Sequence, residues 1–143
     1  MEELDACLEL AKKIKRKDET ILDLKSNVLS PKNQILSDMP RGSGTLSSPQ
    51  EDYLIRLERL TDEKHTLQEN LVITWFDAIA KLKEANVTGE SAYEMLKYRF
   101  YCGYPWKVCA KKLKNKYPTE KWNLNKCFRV YGGILHKVES KTL

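Results

Sequence analysis

LKYRFYCGYPWKVCAKKL, residues 96–113, is the stretch on which the fold turns. It begins inside a helical segment from about Ser91 to Cys102, in which Met95, Leu96, Arg99 and Phe100 recur at helical spacing. Cys102, Gly103 and Tyr104 break the pattern. Pro105 then suits the first position of a new helix, because its fixed φ is already helical. In that helix Trp106, Cys109, Ala110 and Leu113 share one face. Ala110 is small enough to let another helix cross closely, as two short helices packed around a tight turn require. Trp106, the largest ring on that face, is the expected anchor between helices.

Toward the C-terminus, residues 114–122 are polar and interrupted by Pro118, so they form a connector. A last helix is expected from about Asn123 to Val138, with Cys127, Val130, Ile134 and Val138 as its apolar stripe and Leu124 and Leu135 beside it. Asn123, Asn125, Lys126 and Arg129 lie off that stripe, in the half of the helix that enters the major groove in a recognition helix. Amide and guanidinium groups match the adenine and guanine edges there. Lys107, Lys111, Lys112 and Lys121, with Lys114 and Lys116, put positive charge on the preceding helix and connector, where phosphates would lie. Plainer roles exist for both sets: a solvated lysine face, and Asn123 as a helix N-cap. Gly132 and Gly133 sit inside the last helix, where glycine costs roughly 1 kcal/mol. A local bend or a close helix contact is expected there.

Charge is divided unevenly. Residues 88–143 carry 12 Lys/Arg and 4 Asp/Glu, a net of +8, whereas residues 1–87 carry 13 and 16, a net of −3. Such a split suggests that one end meets a polyanion.

The rest of the chain reads as two long helices. From Glu2 to about Leu29, Leu4, Leu8, Ala11 and Ile14 fall on one face, and Ile21, Leu22 and Leu24 resume it. Prolines and glycines then crowd residues 30–50, which read as a flexible loop or linker. A second helix should start near Pro49, with Ser48 as its cap and Glu51 and Asp52 at its positive end. In it Tyr53, Leu57, Leu60, Lys64, Leu67, Leu71, Thr74 and Ala78 repeat with a heptad rhythm to about Ala85. A seam this long needs cover, either from the first helix as a hairpin or from a second copy as a homodimer. Residues 86–89 end it, and Thr88 or Ser91 should cap the next helix. The expected fold is therefore all-α: a long N-terminal helical arm or hairpin (1–87, coiled-coil-like) and then a small helix-turn-helix bundle (88–143).

Several classes are disfavoured. Met1 to Asp5 has no basic lead or apolar run, so no secretory signal is expected. The longest apolar runs, at residues 71–73 and 75–76, fall far short of the roughly 20 residues of a membrane span, so no membrane role is expected. Cys7, Cys102, Cys109 and Cys127 form no CxxC pair, and His65 and His136 are the only histidines, so neither a metal site nor a cofactor is expected. The cysteines are expected to be reduced thiols in or near the core. No enzyme is expected either: Asp77 and Glu84 are scattered, and His65 has no nearby nucleophile. The stretch from Arg41 to Gly44 lacks the strand-loop-helix context and lysine of a phosphate loop.

Residues 96–113, together with CFRVYGGILHK at 127–137, resemble a pattern found in phage-encoded transcriptional regulators of the ArpU-like and RinA-like type. The shared features are a leucine, an Arg-Tyr-like pair, a glycine, a tryptophan, then an apolar residue, alanine and leucine. The stretch from Ser37 to Gly42 before the long helix is similar as well. The strong resemblance covers about 45 residues. The chain departs from the family at Tyr131, at Gly132-Gly133 and in its longer connector. The resemblance implies a helix-turn-helix similar to sigma factor region 4, double-stranded DNA at late-gene promoters as ligand, host RNA polymerase as partner, and the cytoplasm of a bacterial host cell as location. Alternatives are a DNA-binding packaging protein of the small-terminase type, or a coiled-coil interaction protein that does not bind DNA specifically.

Overall fold

The computed structural model describes residues 1–29 and 49–142, and every regular element among them is helical. The expected loop from residue 30, with Arg41, the Ser37–Gly42 stretch and the Ser48 cap, lies outside the described residues, except that Pro49 and Gln50 are already helical. Helix α1 spans Glu2–Leu29 and α2 spans Pro49–Glu84. Each has acidic residues in its first turn, and α2 has Lys81 and Lys83 in its last, as the helix dipole favours. The chain forms two compact units, Lys13–Gln68 and a second made of Met1–Lys12 with Glu69–Leu143. The division expected at residue 87 falls inside the second unit.

In the first unit Leu60 is buried, and Tyr53, Leu57 and Leu67 are partly covered along the same face of α2. Lys64, the charged member of the seam, pairs with Asp18 at 2.5 Å, and Lys17 donates to Glu63. The charged seam residue thus meets an opposite charge on α1, and its neighbour Glu63 meets another.

The second unit holds the larger core. The α2 seam continues through Leu71, Ala78, Leu82 and Ala85, all buried, and α1 contributes Leu4, Cys7 and Ala11. The α1 face therefore centres on Cys7; Leu8 is only half-buried. Lys81 donates to Glu3 and holds that carboxyl below its ordinary range. Asn86 ends α2 in the left-handed conformation (φ 60°). Its N–H donates to the Lys83 carbonyl and the Val87 N–H to that of Leu82, both at 3.0 Å. This is a Schellman closure, with Val87 and Leu82 as its buried apolar pair.

Helix α3 (Glu90–Leu96) has Gly89 at its N-cap and no side-chain cap. The expected caps do not form: the Ser91 hydroxyl is instead hydrogen-bonded to the Glu120 carboxylate at 2.7 Å. Lys97–Tyr101 continues α3 as a π-helical turn, in which the Cys102 N–H reaches the Lys97 carbonyl at 2.9 Å. Residues 102–105 reverse the chain, with Gly103 at φ +76°. Helix α4 (Trp106–Lys116) buries Cys109, Ala110 and Leu113. A 3-10 turn, Pro118–Glu120, ends in Lys121 at φ 56°. Helix α5 runs Leu124–Thr142, four residues beyond the expected end.

Two packing details differ from expectation. Trp106 does pack between helices, against Phe100, Phe128 and Tyr131, but is only half-buried, whereas Trp122, read as part of a polar connector, retains 3% of its surface. A proline-containing polar run gave no signal that its last residue turns inward. Helix α5 continues through Gly132 and Gly133, and a Cβ on either would have no heavy atom within 4 Å, so the expected close helix contact is absent. Cys102 is exposed in the turn, while the other three cysteines are buried.

Candidate nucleic-acid interface

Helix α4 separates its residues sharply. Cys109, Ala110 and Leu113 face the core, and the opposite side exposes Lys107, Val108, Lys111, Lys112, Lys114 and Asn115. The separation follows from 3.6-residue periodicity: the apolar residues sit three and four apart, and lysines occupy most positions between them. Lys112 extends over two rings, with its Nζ 5.0 Å from the centre of Tyr104 and 5.9 Å from that of Tyr98. That keeps the ammonium near the surface in a defined place. Lys116 is spoken for, pairing with Glu94 at 3.0 Å.

Helix α5 is amphipathic in the same way. Cys127 and Ile134 are buried, with Leu124, Val130, Leu135 and Val138 half-buried. Asn125, Arg129, Gly132, Gly133 and His136 are exposed on the other side. The two glycines leave that face without side chains at its middle, so another molecule's surface could approach the helix backbone closely.

The eight residues singled out by sequence separate into two groups. Lys107, Lys111, Lys112, Lys121, Asn125 and Arg129 are exposed. Asn123 and Lys126 have work within the chain. Asn123 Oδ1 accepts the Lys126 backbone N–H at 2.8 Å, which makes Asn123 the N-cap of α5. The Lys126 ammonium lies 4.5 Å from the centre of the Trp122 ring and donates to the Glu120 carbonyl. Among the described residues, no ion pair involves Lys107, Lys111, Lys112, Lys121 or Arg129.

The connection between α4 and α5 covers Tyr117 to Asn123, longer than the three to four residues of a helix-turn-helix turn. The four-residue turn lies earlier, between the π-helical turn and α4. Sequence reasoning missed a feature behind it, an aromatic cluster. Trp106 packs edge-on against Phe100 (6.1 Å between centres) and Phe128 (5.6 Å), and against Tyr131 at 5.4 Å. Arg99 stacks over Trp106 at 5.2 Å and donates to the Tyr104 carbonyl at 3.1 Å. Arg99 is thereby tied to the turn that introduces α4. The Arg99–Trp106 spacing of seven was the available signal.

Among the described residues no group of three or more His, Cys, Asp or Glu could hold a metal ion, and no helix is long and apolar enough to cross a membrane. No family model, curated protein or solved structure matches the chain.

Proposed function

We propose that the chain binds double-stranded DNA through the exposed faces of α4 and α5, as a transcriptional regulator of the phage type that its C-terminal residues resemble. One observation carries this: the exposed Lys/Arg side chains of α4, α5 and their connector, Lys107, Lys111, Lys112, Lys121 and Arg129 among them, have no internal counter-charge among the described residues, Lys116 excepted. Such cations release the ions condensed on DNA when they meet its phosphates. Lys107, Lys111, Lys112 and Lys121 would hold the backbone in register. Asn125 and Arg129, one helical turn apart on α5, would read base edges. Gly132 and Gly133 would let the helix sit deep against the duplex. The mechanism needs no covalent step and no cofactor. Contact with host RNA polymerase belongs to the same proposal, by resemblance.

Selection of bound sequences from a random duplex pool tests this with the intact chain. Enrichment of a defined site supports a sequence-reading regulator. Retention without enrichment supports a packaging or architectural role, and no retention by folded protein removes DNA from the account.

A further inference from the structure

Helix α2 buries one side in the second unit, through Leu71, Ala78 and Leu82. At 100° per residue the opposite side carries Glu69, Val72, Ile73, Phe76, Ala80 and Lys83. All six are exposed, and the exposure is large where it matters: 60% for Ile73 and 66% for Phe76. A helix whose seam is already covered would ordinarily be polar here. This one instead sets Val72, Ile73, Phe76 and Ala80 between an acid and a base.

We propose that a second copy of the chain docks on this face, with the two α2 helices antiparallel about a two-fold axis beside Phe76. Charge selects both the occupant and the direction. Glu69, Phe76 and Lys83 are seven residues apart, so they form one line on the helix. In the antiparallel pair Phe76 meets Phe76, Val72 meets Ala80, and Glu69 meets Lys83 at both ends. A parallel pair would set Glu69 against Glu69 and Lys83 against Lys83, which repel. Neither residue has an ion-pair partner inside the chain among the described residues. An acid and a base at equal distances on either side of an apolar centre are what an isologous contact needs, since one patch must complement itself. The heptad seam that could have served a dimer is covered within the chain, at Leu60 in one unit and Leu71 in the other. The contact spans about 21 Å of helix, short for a permanent interface, so the dimer dissociates on dilution.

Sedimentation equilibrium of the intact chain, without DNA and up to millimolar concentration, tests this apart from any DNA-binding role. The expected result is a monomer–dimer equilibrium that Phe76→Glu abolishes. Its helical circular dichroism should not change, because the ring is outside the core. Glu69→Lys or Lys83→Glu alone replaces two attractive contacts with two repulsive ones and should weaken association on the order of tenfold. The double exchange, Glu69→Lys with Lys83→Glu, should restore it. A monomer throughout, a species larger than a dimer, a dimer indifferent to Phe76→Glu, or a double exchange no better than the single ones overturns the proposal.

Discussion

A Cβ on Gly103 would stand 3.2 Å from the Cβ of Ala11, closer than side chains ordinarily pack. The first helix therefore lies directly against the turn that introduces α4. Two independent demands meet at this glycine, the close contact and its φ of +76°. Gly103→Ala should destabilise the chain by about 1–3 kcal/mol, from left-handed strain plus overpacking. Combining it with Ala11→Gly should recover only the packing part. Urea denaturation of the three variants measures both.

The two tryptophans should rank opposite to what their neighbours in sequence suggest. Trp122 is nearly fully buried and Trp106 half-buried. Trp122→Ala should cost about 3–5 kcal/mol, and Trp106→Ala distinctly less. Thermal melting of both variants settles the order. A larger loss at Trp106 would mean that the aromatic cluster, and not the Trp122 site, anchors the bundle.

Thiol chemistry should distinguish the cysteines. Burial pushes the Cys7 and Cys109 thiols up to about 11, and the charge of Glu3 adds to the effect at Cys7. Burial raises Cys127 as well. Alkylation under native conditions should modify Cys102, the exposed one, first, and the others only on unfolding. Above the ordinary thiol value of 9.0 the unfolded chain releases protons that folded Cys7 and Cys109 keep. Stability should therefore fall as pH rises from about 9 toward 11. Peptide mass mapping and melting against pH check the two halves.

Division of labour on the basic faces is testable by substitution. Arg129→Ala should weaken a selected DNA site by roughly 1–3 kcal/mol and random DNA less, because a base contact carries sequence information. Lys111→Ala and Lys112→Ala should weaken both kinds of DNA equally and make the salt slope shallower. Lys126→Ala should act mainly through stability, since its ammonium is held on Trp122 and the Glu120 carbonyl. Equal losses on both DNAs for Arg129→Ala would move base reading away from α5, with α4 as the next candidate.

The helices were legible because their apolar residues keep strict spacing. The seam from Tyr53 to Ala78 is at least partly covered at every position, and Lys64 proves to be an ion-pair partner of Asp18. The bounds of α1 and α2 came from the same rhythm and from Pro49. The hidden features depend on contacts distant in sequence. Nothing near Trp122 announces its burial, and nothing local marks Lys97–Tyr101 as π-helical. Cys7 and Leu8 both fit the periodicity of α1, and only the packing against it chose Cys7. Of the candidate site, the exposed lysines could be read from α4's periodicity. The internal roles of Asn123 and Lys126 could not be settled, because capping and base reading favour the same residue types.

Equilibrium binding of the intact chain to a labelled duplex over a salt series puts the proposed interface to the test. The claim is that the cations exposed on α4 and α5 are a DNA-binding surface. The account predicts an affinity that falls linearly on logarithmic axes, with a slope near −0.9 for each phosphate neutralised. It also predicts that joint replacement of Lys107, Lys111 and Arg129 by glutamate abolishes binding while leaving circular dichroism unchanged. Folded protein that binds no duplex at low salt, or that binds equally well after the triple replacement, would contradict it.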